Sequence, residues 1–360
     1  MTRSRHTSSN ALSLPAPGSR MPAEWEPHAA TWLAWPHYHN DWPGKFEPIP
    51  WVYTEIIRYL ARRERVELIV NDAASEKKAR KTLQLAGAWS TNIRFHRWAS
   101  NRVWTRDSGC TFVTGSSDAL AAIKWRFNAW AKYSNWRHDE TIGSLMAQTA
   151  RAREFRPLFG AQRMVLEGGS IDTNGLGTLL TTEECLLSHI QQRNSGMKRS
   201  DYQRIFADFL GIRNVVWLGR GIAGDDTHGH VDDLTRFVSA DTVVTVVEAN
   251  PKDPNYEPLR ENIRRLRDAN DQDGKPLAIV ELPMPGAVYF QRRRLPASYA
   301  NFYIANDLVL VPVFNDPNDR IALDTLADLF PAREIVGIYC GDLVWGFGTL
   351  HCMTQQQPAA

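Results

Sequence analysis

The feature that most restricts the fold of this chain is a recurring strand–turn–strand pattern. Residues 170–182 read SIDTNGLGTLLTT, with Asn174-Gly175 at the turn. Residues 234–247, LTRFVSADTVVTVV, repeat the pattern around Ser239-Ala240-Asp241, and residues 299–313, YANFYIANDLVLVPV, repeat it around Ala305-Asn306-Asp307. A short polar turn between two such runs is a hairpin signal. A polar cluster stands just before or at the start of each hairpin. With Asp107, Glu167, His230, Asn301 and Cys352 as markers, the intervals are 60, 63, 71 and 51 residues. A quasi-period of this size predicts repeated strand–strand–helix units that present their polar groups at one end and converge them on a central pocket. A doubly wound sheet with accidental spacing is the alternative.

Outside these hairpins, other short apolar runs read as buried strands: 30–35, 66–71, 119–127 and 277–282; within the third hairpin, 308–314 reads as one too. Residues 52–63, 200–210 and 257–269 carry apolar residues at helical spacing. No linker divides the text after Met21, which predicts one catalytic domain over 21–360. Residues 1–20 are polar, basic and proline-containing, as in a flexible tail, and lack the apolar core of a secretory signal. Lys and Arg total 42 against 40 Asp and Glu, a balance that argues against a nucleic-acid binder. No apolar run is long enough to span a membrane. Four cysteines without a CxxC pair suit a reducing compartment, so a cytoplasmic location is expected.

Four segments carry chemistry. In Gly229-His230-Val231-Asp232, a strand would place His230 and Asp232 on one face, a proton-handling pair. A solvated turn histidine is the plainer reading. Glu167-Gly168-Gly169-Ser170 sets a carboxylate before two glycines, which permits close approach of backbone to a ligand or simply makes a bulge. Trp104-Thr105-Arg106-Asp107 can face a cation, with the indole against its plane, or hold a structural Arg–Asp pair. Cys352 follows two glycines, Gly346 and Gly348, and is either a nucleophile or a small buried hydrophobe. Cys110, Cys185 and Cys340 fit the second description.

Taken together, MPAEWEPHAATWLAWP, VWTRDSG, KWRFNAW, LEGGSID, DDTHGHVDD, LPASYANFYIAN and LHCMTQQQP resemble the agmatine deiminase branch of the peptidylarginine-deiminase-like family, within the guanidino-group-modifying (pentein) enzymes. The resemblance runs from about Met21 to Pro358. It implies an α/β fold, a five-fold pseudosymmetric α/β propeller of ββαβ units around a central polar site. It implies Cys352 as nucleophile, His230 as general acid/base, Glu167 as the acid working with that histidine, Asp107 and Asp232 as the guanidinium clamp, and Trp104 as a pocket wall. Phe347 interrupts the usual glycine run, Thr349 stands where Asn is usual, Cys110 replaces a usual Pro, and Ala131 stands in a usual Gly-Gly pair.

The chemistry expected is hydrolytic deimination through a covalent amidino-cysteine intermediate, with no metal and no cofactor. Agmatine is the first substrate expected; peptidyl-arginine or another small guanidine is the runner-up. The distal ammonium of agmatine needs an acidic or aromatic contact and no carboxylate-binding arginine, and Asp226 is the candidate. Homo-oligomers are expected by analogy with the relatives. A zinc hydrolase using His228, His230, Asp232 and Cys352, and a non-catalytic guanidine sensor, are the readings from other classes.

Overall fold

The computed structural model describes residues 14–115 and 120–359. Residues 1–13 of the expected tail and residue 119 of the expected 119–127 strand lie outside it. The end of the expected tail is docked at Arg20, whose N–H donates to the Thr114 carbonyl at 2.9 Å and whose guanidinium meets Glu26 at 2.7 Å.

Among the described residues the strands form five sheets of three or four strands and two short two-stranded ribbons. Four of the five follow one plan: a hairpin, a helix, then a strand parallel to the hairpin's second strand. Asp172–Thr173 and Thr178–Thr182 pair antiparallel, helix Arg199–Leu210 follows, and Asn214–Leu218 adds in parallel. Thr235–Phe237, Thr242–Val247 and Ala278–Pro283 repeat this around helix Tyr256–Arg267. Tyr303–Ala305, Leu308–Val313 and Glu334–Tyr339 repeat it around Asn318–Leu329. Thr111–Thr114, Leu120–Ile123 and Arg153–Phe155 do so around Asp139–Thr149. In the fifth, His28–Ala34, Arg65–Val70 and Ile93–Arg97 lie parallel, with helices Ile49–Leu60 and Ala73–Leu85 between them in sequence. Its antiparallel strand is Gln355–Pro358, from the other end of the sequence.

Local chemistry explains these elements. Asn174 Oδ1 accepts the N–H groups of Leu176 and Thr178, both at 3.0 Å, and so closes its own turn. Thr178–Thr182 is buried along its whole length, which demands satisfied backbone on both sides and suits a central strand. Helix Ile49–Leu60 buries Tyr53, Ile56, Ile57 and Leu60, one stripe at three- and four-residue spacing. The expected strand over 119–127 ends at Ile123; Trp125 and Phe127 stay buried, while Arg126 makes only an isolated parallel bridge to Val165.

A tight turn precedes each hairpin: Thr105–Ser108, Gly168–Ser170, Val231–Asp233, Tyr299–Asn301 and the turn at residues 350–353. Thr105–Ser108 packs on Gly168–Ser170, that turn on Val231–Asp233, and the latter on Tyr299–Asn301. The Cys352 N–H reaches Asn301 Oδ1 at 3.4 Å, and the Arg106 N–H donates to the Cys352 carbonyl at 3.3 Å. The five marker residues therefore meet because the turns that carry them touch in succession.

Candidate active site

Beneath these turns lies a buried lattice of charge. Glu24 Oε1 accepts from Arg236 and from the Ile304 N–H, both at 2.9 Å, and its Oε2 accepts from Arg106 at 3.0 Å and lies 2.9 Å from His351 Nε2. Burial alone would raise the Glu24 pKa; Arg236, His351 and Arg106 hold it well below the usual carboxylate range. His351 Nδ1 lies 2.7 Å from Asp232 Oδ2. A carboxylate therefore stands at each ring nitrogen of His351. Burial opposes ionisation of Asp232, and the His351 contact overcomes it, so the carboxyl is held below its ordinary pKa.

His230 is fully buried, its Nε2 3.7 Å from Glu167 Oε2 and its Nδ1 3.9 Å from Asp107 Oδ1 and 4.0 Å from Asp232 Oδ1. Val231–Asp233 is a single 3-10 turn entered from His230, not the strand that the spacing suggested. One tight turn brings the two side chains together as a strand face would. Burial by itself would lower the His230 pKa; the Asp107 charge, with Cys185 and Glu167 contacts, raises it well above the usual value. Arg193 Nε donates to Glu167 at 3.0 Å, and the Gly169 N–H donates to Asp107 Oδ1 at 3.0 Å. Burial, then the charges of Asp232 and Glu167, push the Asp107 carboxyl up to about 6, against the opposing pull of His230.

Cys352 is 5% exposed and lies 3.5 Å from Asp232 Oδ2. Asn301 Nδ2 donates to its sulfur at 3.1 Å and to Asp233 Oδ1 at 3.0 Å, while Thr349 Oγ1 donates to Asn301 Oδ1 at 2.8 Å. Burial and the carboxylates of Asp232, Asp233 and Asp107 push the thiol pKa well above its usual value. On its own the site thus favours a neutral thiol, and an arriving cation would reverse the sign of the local field.

A cavity of about 550 Å³ opens over these groups, with Cys352, Asp107, Trp104, Trp130 and Gly346 among its lining and Tyr38, Arg102, Lys132, Tyr133, Asp226 and Phe347 further along it. Trp130 Nε1 donates to Asp107 Oδ2 at 2.8 Å. Asp226 lines the cavity as the sequence suggested, but its carboxylate is already engaged by Lys132 at 2.6 Å, by the Tyr133 hydroxyl at 2.5 Å and by Arg293.

The structure therefore gathers Cys352, His230, Glu167, Asp107, Asp232 and Trp104. The pairing of Arg106 differs from the structural reading of its segment: it meets Glu24, not Asp107. Cys110 and Cys340 are buried, while Cys185 lies with Glu167 and His230 in one cluster. Sequence reasoning did not single out Trp130, Arg193, Asp233, Glu24 or His351, although all but Arg193 stand inside the segments that carry the family resemblance. The zinc set is not assembled, because His228 Nε2 faces the Ser188 hydroxyl at 3.1 Å. Among the described residues, the triads close enough for a metal are Glu167–Cys185–His230, whose carboxylate holds a guanidinium, and Asp232–Asp233–Cys352 in the cavity floor.

Gly169 makes this convergence possible. A Cβ there would lie 2.5 Å from His230 Nδ1, 2.9 Å from Asp232 Oδ2 and 3.1 Å from Asp107 Oδ1. Gly169→Ala is expected to lower activity by about 100-fold, the scale of a 1 Å misplacement, with the far-ultraviolet circular dichroism spectrum unchanged. Activity within a factor of three of the parent would show that these groups need not sit where they do.

A thiol set against carboxylates and a buried imidazole, beneath indole walls on this α/β scaffold, defines an enzyme of the guanidino-group-modifying class. The chain belongs to the Porphyromonas-type peptidyl-arginine deiminase family, whose model matches residues 20–358. The agmatine deiminase of Pseudomonas aeruginosa (strain LESB58) is 34% identical across 98% of this chain and 99% of its own length. That of Pseudomonas syringae pv. tomato is 35% identical across 96% of each. Among solved structures, the agmatine deiminase of Enterococcus faecalis superposes with a TM-score of 0.87 at 30% identity, over 95% of this chain and 96% of that one. A substrate-bound agmatine deiminase of C. jejuni gives 0.83 at 28% identity, over 94% and 96%.

Proposed function

We propose that this chain deiminates agmatine, taking agmatine and water to N-carbamoylputrescine and ammonia. The observation that carries the reading is the approach of the Cys352 sulfur to Asp232, with Asp107 and His230 in the same buried cluster. A guanidinium is planar and permanently charged. Asp107 and Asp232 offer it charge-assisted bonds and fix its plane; Asp232 Oδ1, buried and without a hydrogen-bond partner among the described residues, is free to accept one. Cys352 attacks the central carbon, and the cation itself helps to form the thiolate. His230 protonates the departing nitrogen as ammonia, then takes a proton from the water that cleaves the amidino-thioester. Glu167, ionised against Arg193, holds the imidazolium. Trp104 and Trp130 wall the plane.

The five sheets and their five contacting turns support a five-fold pseudosymmetric propeller, with residues 21–360 as one catalytic domain. The four cysteines are free and buried, and the cytoplasm is the proposed location. Among the described residues, no helix is long and apolar enough to cross a membrane. Assembly into homo-oligomers remains part of the proposal by analogy.

Incubation with agmatine should release ammonia and a ureido product in equal amounts, with undiminished rate in chelator. No ureido product, or activity restored only by added metal, would overturn the reading. The pH profile follows from Asp107. Below about pH 6 its carboxyl takes a proton and ceases to attract the cation. The value of kcat/KM should therefore fall roughly tenfold per pH unit on the acid side, and kcat, measured with the cation bound, should fall only at lower pH. An acid limb absent from kcat/KM down to about pH 5 counts against the clamp.

A further inference from the structure

Three residues in a row, Ala129, Trp130 and Ala131, stand at positive φ, 51°, 58° and 54°, and none is glycine. A left-handed run of this kind persists where surrounding contacts over-determine it. It carries a working group, since the Trp130 indole N–H donates to Asp107 Oδ2 at 2.8 Å and the ring lines the cavity. Part of what holds the run is its own turn. The Ala131 N–H donates to Asn128 Oδ1 at 2.9 Å, and the Lys132 N–H to the Ala129 carbonyl at 3.0 Å. Just beyond it, Lys132 and Tyr133 reach the Asp226 carboxylate.

Gln191 pins the run from another part of the chain. Its Nε2 donates to the Trp130 carbonyl at 3.2 Å and to the Asp226 carbonyl at 3.1 Å. The two N–H groups of one amide can meet two carbonyls in this way. Gln191 is itself at φ 47°, and its own carbonyl accepts from Arg193 Nη1 at 2.8 Å. The same guanidinium donates to Glu167 through Nε and to the Thr227 carbonyl through Nη2. Residues 191–193 therefore bracket two successive carbonyls, Asp226 and Thr227, and reach across to the run that carries the indole.

We infer that Gln191 is a positioning residue for deimination: its amide fixes the Trp130 indole and, through it, the Asp107 arm of the guanidinium clamp. The inference rests on the deiminase reading above. Gln191 is not among the residues that line the cavity, so it acts through Trp130 and not on the substrate. The effect falls on the clamp and spares the acid–base group. His230 is held by its own loop, where Asp225 Oδ2 accepts the N–H groups of Gly229 at 2.7 Å and of His230 at 3.1 Å. Asp107 faces His230, Asp232, Glu167 and Cys352. Among the described residues, the Gln191 amide hydrogen-bonds to none of these four. An N–H donated to a carboxylate favours its charged form. With the indole displaced, Asp107 takes its proton at a higher pH.

The test is Gln191→Met, which keeps the length of the side chain and removes both donors. KM for agmatine is expected to rise about fivefold, the scale of one lost hydrogen bond, with kcat changed by less than about twofold. The acid limb of kcat/KM should move upward by about half a pH unit. The midpoint of that limb does not depend on how much of a sample is folded, so partial misfolding leaves the readout intact. Trp130→Phe, which removes the N–H and keeps a ring, should move the limb in the same direction. Adding Gln191→Met to it should move the limb no further, because both changes act on one hydrogen bond. A limb unmoved by Gln191→Met, a loss confined to kcat, or a full second shift in the double variant overturns the inference and leaves the deiminase reading standing. Failure of the wild-type protein to release ammonia from agmatine overturns the deiminase reading instead.

Discussion

Cys352→Ala is expected to abolish ammonia release, lowering kcat by roughly 10⁴-fold or more, the scale set by removal of a covalent nucleophile. The sulfur is positioned from several sides: Asn301 donates to it, Asp232 lies beside it, and the turn that carries it is tied to Arg106. The carboxylates left behind remain able to bind the cation, so guanidinium affinity should persist in the variant by calorimetry. Residual turnover above a hundredth of wild type would sink the covalent route. A second reading comes from the wild-type thiol itself. Because burial and three carboxylates raise its pKa well above the usual value, alkylation of Cys352 in the free enzyme should be slow at neutral pH. A small inert guanidinium that fills the floor without blocking the sulfur should accelerate it, and an unmoved pH profile would count against substrate-assisted ionisation.

The other large effect is expected at His230. His230→Asn should lower kcat by about 10²- to 10⁴-fold, the range of general acid–base catalysis, with a much smaller change in KM. Both halves of the reaction suffer, since one proton must reach ammonia and another must leave water. The imidazolium also offsets Asp107 and Glu167, so its loss should slow alkylation of Cys352 further. Thermal unfolding of the variant distinguishes lost chemistry from lost structure. A variant that folds normally and keeps more than a tenth of kcat would remove His230 from the reaction.

The residues proposed for catalysis were readable because each stands in a short polar stretch beside a turn or hairpin, and the hairpins follow strand period and turn chemistry. What was not readable depends on contacts between distant segments. Arg193 matters only because Glu167 lies opposite it, and Trp130 only because its indole reaches Asp107. Glu24 matters only because it meets Arg106, Arg236 and His351 from three other parts of the chain. His230-Val231-Asp232 misled for another reason: over three residues, strand alternation and one tight turn look alike. Helix Ala73–Leu85 escaped notice because it buries only Ala79 and Leu83, too few to mark a stripe.

The antiparallel seam between His28–Ala34 and Gln355–Pro358 bears on when the enzyme becomes active. The Trp32 indole and the Gln357 side chain meet across 325 positions of sequence. Joining such remote segments is entropically costly and slow compared with closing the local hairpins. The seam also anchors the turn that delivers the sulfur. Without the seam the chain loses the tether that holds Cys352 beside Asp232, so closing the seam and placing the sulfur are one event.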